Sequence, residues 1–168
     1  MNRILIVLFF TLTCSLGVIG QNYVVIGLGS YPSTETISLQ SDSDVSFIKN
    51  PDLIFAKDRE QAFLIVKSAL VSTVLISEKL TIVLEDGTSI TCSEKGQKEN
   101  IDGFASTAYH LTMDDLVKLK KSNIATIKYQ IKCSDCSRNL LYEGIYSASN
   151  TGTSPADFVQ LLNDFYGK

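Results

Sequence analysis

The chain is poor in the residues from which most catalytic sites are built. Its 168 residues contain a single histidine, His110, so any Ser-His-Asp or Cys-His arrangement must use that side chain. No serine lies in a G-x-S-x-G elbow, which removes the commonest hydrolase signature. Tryptophan is absent. Excess positive charge is lacking too: 15 Lys and Arg stand against 18 Asp and Glu, a formal net charge of −3. Phosphate-backbone binding needs clustered bases, so no nucleic-acid partner is expected. The nearest basic cluster, Lys118, Lys120 and Lys121, reads as the solvated face of a helix. No repeat and no Gly- or Pro-rich linker divides the chain. Residues 62–84, the richest apolar stretch after the N-terminus, are interrupted by Lys67, Glu78 and Lys79, charges that would be costly in lipid.

The N-terminus carries what the rest lacks. Arg3 supplies one positive charge, residues 4–12 are almost wholly apolar, and small residues follow at Ser15, Gly17 and Gly20. That order predicts a cleavable signal peptide over residues 1–20, with an apolar run too short to span a bilayer. Cleavage after Gly20 exposes the polar pair Gln21-Asn22. Cleavage after Gly17 is the alternative, and Cys14 offers a lipid-anchored route that Thr11-Leu12-Thr13 does not suit. Removal of residues 1–20 takes away one base and no acid, so the net charge of −3 becomes −4. The expectation is a secreted or periplasmic protein, one domain over residues 21–168, not integral to the membrane once processed.

Patterning of this domain favours strands. Residues 23–28, 34–39, 63–66 and 71–76 are rich in Val, Ile and Thr. Leu80, Ile82 and Leu84 alternate with Thr81 and Val83 before Asp86-Gly87. A three-residue loop, Glu85-Asp86-Gly87 with Gly87 left-handed, pairs Leu84 with Thr88, Ile82 with Ile90 and Leu80 with Cys92. It gathers the apolar side chains on one face and points Cys92 inward. Thr112 and Asp115 form a helix-start signal, with Leu111 and Leu116 spaced as a hydrophobic staple. Met113, Leu116, Val117 and Leu119 are then placed to face the core, and Asn123 to end the helix in a left-handed conformation. Residues 124–132 alternate as a half-buried strand, Ile127, Tyr129 and Ile131 on one face and Lys128, Gln130 and Lys132 on the other. Residues 140–146 are expected to return as its partner. A last helix opens at Ser154-Pro155, with Phe158, Leu161, Leu162 and Phe165 as its apolar stripe. The sum is an α+β domain: a mostly antiparallel sheet of five to eight strands with two helices packed on one face.

Three cysteines follow the signal segment. Cys133 and Cys136 form a C-x-x-C pair, and Cys92 is the third. A redox dithiol wants its first cysteine at a helix N-terminus, whereas this pair lies between strand-like segments. Cys92, His110, Cys133 and Cys136 would together make a Cys3His set suited to tetrahedral zinc. An oxidising compartment favours structural disulfides, Cys133–Cys136 or one of these bridged to Cys92, with one thiol left over. His110 reads as an exposed residue before a helix start. The adjacent acids Asp114-Asp115 and Glu85-Asp86 read as caps and turns. Gly27-Leu28-Gly29 lacks the third glycine and the helix of a dinucleotide loop. Tyr142 and Tyr146 share a strand face that packs or lines a ligand groove.

The run Leu80-Thr-Ile-Val-Leu-Glu-Asp-Gly-Thr-Ser-Ile90, the run Ser106-Thr-Ala-Tyr-His-Leu-Thr-Met-Asp-Asp-Leu-Val-Lys-Leu119 and Ile124-Ala-Thr-Ile-Lys-Tyr129 resemble a group of small secreted proteins of Bacteroidota-type bacteria. The resemblance covers about residues 80–131, leaves the Cys133–Cys136 loop outside it, and brings no catalytic residue. The reading that follows is a non-enzymatic extracytoplasmic module, without cofactor, that binds a protein, small-molecule or glycan partner. The alternative is an exported thiol-redox or zinc protein using Cys133 and Cys136.

Overall fold

A computed structural model describes residues 21–59, 61–70, 74–133, 143–152 and 154–167. The strands are β1 (Asn22–Ile26), β2 (Gly29–Ser33), β3 (Ile37–Ser38), β4 (Gln40–Ser41), β5 (Asp52–Asp58) and β6 (Gln61–Ala69), then β7 (Val74–Leu84), β8 (Ser89–Cys92), β9 (Glu94–Ile101) and β10 (Phe104–Leu111). Helix α1 (Met113–Leu119) leads to β11 (Ile124–Cys133) and β12 (Gly144–Ser149), and helix α2 (Phe158–Tyr166) closes the chain.

The α+β class, the antiparallel pairing and the two helices are as the sequence predicts. The strands outnumber the expectation because they divide into two sheets. One runs β1-β2-β5-β6-β10-β9, with β3 also on β5, and the other runs β4-β12-β11-β7-β8. The main core lies between them. Leu53, Phe55, Leu64 and Tyr109 from the first sheet meet Ile76, Ile82, Ile127 and Ile131 from the second, with Leu116, Leu119, Phe158 and Leu162 from the helices. The first sheet is buried on its other face as well. There Ile54, Ala56, Phe63, Ile65 and Ala108 pack with Ile26 of β1. Burial on both faces explains why β6 reads Ala62-Phe-Leu-Ile-Val66 without alternation.

That second cluster exists because the sheet curls. The Gly27 N–H at the tip of the β1–β2 hairpin donates to Glu99 Oε2 of β9 at 3.0 Å, and Gln97 Nε2 donates to the Tyr31 hydroxyl at 3.1 Å. Lys95 plugs the curl, its Nζ 4.1 Å from the Phe63 ring centre, 5.3 Å from that of Tyr31 and 4.0 Å from Asp58 Oδ2. Odd positions of β9 therefore face the curl, while Glu94, Lys98 and Asn100 face β7.

The β7–β8 hairpin has the expected register, Leu80 opposite Cys92 and Ile82 opposite Ile90. Gly87 sits at φ +83°, its N–H bonds the Leu84 carbonyl, and Cys92 is buried. Helix α1 begins as expected: Thr112 Oγ1 accepts from the Asp115 N–H at 3.1 Å, and Asp115 Oδ2 accepts from the Thr112 N–H at 3.0 Å.

Three local expectations are corrected. Of the four α1 residues assigned to the core, Leu116 and Leu119 are buried, but Met113 and Val117 are exposed. At about 100° per residue, Leu116 and Leu119 share one side of the helix, while Met113 and Val117 lie together on the adjacent side. The helix ends at Lys120 in a right-handed conformation, and Asn123 serves elsewhere. Its carbonyl accepts from the Glu85 N–H and its Oδ1 from the Val159 N–H. Helix α2 starts at Phe158 with Asp157 as N-cap, three residues after the Ser154 signal. Asn150 holds the intervening Ala156 through both its N–H and its carbonyl, which keeps that segment out of the helix.

Candidate functional site

The candidates among the described residues, Cys92, His110 and Cys133, do not converge. Cys92 is free and buried in the main core, and Cys133 is free and half-buried at the far end of β11. In register, Cys92 lies beside Leu80 and Cys133 beside Val74, on opposite sides of β7. Counted on β11, about four residues separate the two levels, roughly 13 Å along the strands and about 10 Å across them, far beyond the reach of a disulfide. The expectation of a bridge between Cys133 and Cys92 is thereby corrected. Cys136 and Tyr142 lie outside the described residues. His110 is exposed on the face of β10 opposite Tyr109, so it points away from the core that holds Cys92. No group of three metal-ligating side chains occurs among the described residues. Burial, and secondarily the charge of Asp115, pushes the Cys92 thiol up to about 12, which leaves it protonated and unreactive at neutral pH.

The structure instead draws attention to β7. The sequence suggests two strands, residues 71–76 and 80–84, broken by Ser77-Glu78-Lys79. β7 is one strand through this interruption. Between Ser77 opposite Gln130 and Thr81 opposite Lys128, β7 spends two more residues than β11. Glu78 absorbs the surplus with φ +62°, a left-handed conformation that costs an ordinary residue about 1–2 kcal/mol. Bulges of this kind re-aim side chains, and strain in a native backbone concentrates at functional positions.

The surroundings hold the bulge in place. Glu94 of β9 accepts hydrogen bonds from the Ser77 hydroxyl at 3.0 Å and from the Glu78 N–H, and pairs with Lys98 at 3.1 Å. Burial alone would raise the Glu94 pKa, yet the Lys98, Glu78 and Ser77 bonds outweigh it and hold the carboxyl below its ordinary value. Lys132 Nζ bonds the Glu78 carboxylate, and that hydrogen bond holds the ammonium above its ordinary value. Just below, β9 and β10 stitch the unpaired edge of β7. Asn100 Nδ2 donates to the Val74 carbonyl at 2.7 Å and the Thr107 hydroxyl to that of Ile76.

A groove of about 960 Å³ opens around this bulge on the outer face of the second sheet. Its cationic lining is Lys79, Lys98, Lys128 and Lys132, against the acids Glu78 and Glu94. Lys98 and Lys132 are engaged by those acids, whereas Lys79 and Lys128 have no ion-pair partner among the described residues. A chain of net charge −3 thus carries a locally basic concave face. The sequence shows half of it: Lys128, Gln130 and Lys132 are the outward set of β11. What it hides is that Lys79 joins them, because the apolar pattern of β7 says nothing about a two-residue insertion.

No protein-family model, curated protein or solved structure matches the chain.

Proposed function

We propose that the chain is an exported, non-catalytic binding module whose ligand-facing surface is the groove around the Glu78 bulge. The carrying observation is the pair Lys79 and Lys128, two cations without an ion-pair partner among the described residues, on a concave face of an acidic chain. Field lines concentrate in such a cleft, and an anionic partner is steered toward it. A strained residue held by Glu94 and Lys132 supports the same reading, because such strain persists only where its surroundings over-determine it. The non-catalytic side of the reading draws support from His110, which is exposed and makes no side-chain hydrogen bond among the described residues. Export draws support from the charge, apolar run and small residues of the first twenty positions.

Two measurements test this reading. Expression of the full chain in a secreting host, with intact-mass analysis of the product, is expected to return a protein beginning at Gln21 or Val18. A product that keeps Met1 inside the cell contradicts export. Cation-dependent retention on anionic matrices is expected to fall in a K79A/K128A variant with unchanged urea midpoint. Equal retention of variant and parent contradicts the groove.

A further inference from the structure

The side chains of the groove separate the classes of anion it could hold. Lys128 lies opposite Thr81 on one side and Ser147 on the other, and Gln130 lies between Ser77 and Ile145. Facing residues of neighbouring strands stand about 5 Å apart, so Lys128 and Gln130 stand in the floor among Thr81, Ser77 and Ile145, with Lys79 and Lys132 beside them. Lys128 and Lys132 share a face of β11, their Cα atoms about 13 Å apart along the strand.

Among the described residues the lining offers no exposed ring, and its exposed aliphatic side chain is Ile145. The one aromatic among its described residues, Tyr129, is fully buried beneath the floor. Single-stranded nucleic acid draws much of its affinity from stacking on exposed rings, and none is offered among the described residues of the groove. A peptide interface centres on aromatic or aliphatic anchors in desolvated pockets. Among its described residues the groove shows one exposed aliphatic, Ile145, at 75% exposure, and that side chain stands out into solvent. What matches this floor is a hydrophilic chain with anions at intervals and hydroxyls between them.

Building on the groove as the ligand face, we propose that it binds an acidic polysaccharide, one carrying carboxylates or sulfates. Lys79 and Lys128 bind anionic groups of the chain, while Gln130 and Thr81 exchange hydrogen bonds with the sugar hydroxyls between them. Lys132 and Lys98 stay committed to Glu78 and Glu94, and so hold the bulge that presents Lys79.

The test is equilibrium titration of the mature chain with five soluble probes: polygalacturonate, dextran sulfate, neutral dextran, poly-L-glutamate and an oligo-dT strand. At least one of the two acidic glycans is expected to bind, and neutral dextran is not. K79A and K128A are each expected to weaken binding about tenfold, the scale of one charge-assisted hydrogen bond. Affinity is expected to fall as NaCl is raised from low to physiological levels, because both lysines are exposed. Both substitutions are on exposed side chains, and unchanged urea midpoints establish that the variants fold. Poly-L-glutamate or oligo-dT bound as tightly as the glycans, with the same dependence on Lys79 and Lys128, overturns the glycan assignment and leaves the groove as ligand face. Glycan binding unaffected by both substitutions overturns the assignment of this site. Failure of both acidic glycans overturns the glycan inference, and failure of all five probes overturns the groove reading with it.

Discussion

Replacing Glu94 with alanine removes three bonds at once: from the Ser77 hydroxyl, from the Glu78 N–H and from Lys98. The Glu94 side chain is 20% exposed, so its bonds are made in a partly desolvated place. A hydrogen bond to a charged acceptor is worth about 1.5–3 kcal/mol net when buried. The Glu78 N–H is exposed and recovers a water partner, and the half-open Lys98 pair adds roughly 0.5 kcal/mol. The expected loss is therefore about 2 kcal/mol at pH 7, read from urea unfolding with unchanged m-value. The direction with pH follows from the depressed pKa of Glu94. Stability that Glu94 contributes is fully present above the usual glutamate value of about 4.3 and is lost as pH falls through the lower folded-state value. The difference between parent and E94A must shrink toward pH 2. E94Q retains an acceptor for Ser77 and Glu78 and is expected to lose less than E94A at pH 7. A loss below about 0.5 kcal/mol, or a difference that grows in acid, would refute the claim that Glu94 clamps the bulge.

Further outcomes follow from other positions. The Cys92 thiol, buried and pushed up to about 12, is expected to resist an aromatic disulfide reagent at pH 8 until the protein is unfolded. Fast native reaction at Cys92 contradicts its inward placement. Tyr109 and Tyr129 bury hydroxyls that have no hydrogen-bond partner among the described residues, so Y129F is expected to be neutral or to stabilise by up to about 1 kcal/mol in urea unfolding. A loss of that size argues instead that the hydroxyl is satisfied. Gly87, at φ +83° with nothing within 4 Å of an added Cβ, is expected to cost about 1 kcal/mol as alanine through the backbone alone. Calorimetric melting of G87A that matches the parent contradicts the left-handed loop.

Much of the fold is legible in the chain because local rules act there without competition. The Glu85-Asp86-Gly87 loop sets its own register, since only one pairing puts Leu80, Ile82, Leu84, Ile90 and Cys92 on a single face. Thr112 and Asp115 start α1 within four residues of each other. Legibility fails where distant segments decide. The curl of the first sheet depends on Lys95, Gln97 and Glu99 of β9 reaching the β1–β2 hairpin, contacts no periodicity announces. Ser154-Pro155 carries a good helix-start signal, but Asn150 engages Ala156 and Asp157 supplies a second cap nearer Phe158. The candidate groove was half visible, as the polar face of β11. Its other half rests on Glu78 in a left-handed conformation, which only the pull of Glu94 and Lys132 explains.

The most direct test of the groove is a map of lysine protection. The mature chain is acetylated at trace levels with and without polygalacturonate and, separately, dextran sulfate, and the rate at each lysine is read by mass spectrometry with the glycan that binds at saturation. Slowed modification is expected at Lys79 and Lys128, with Lys118 and Lys121 of the α1 region unchanged. Protection centred on Lys118 and Lys121, or protection nowhere, contradicts the assignment of the groove as the ligand-facing surface.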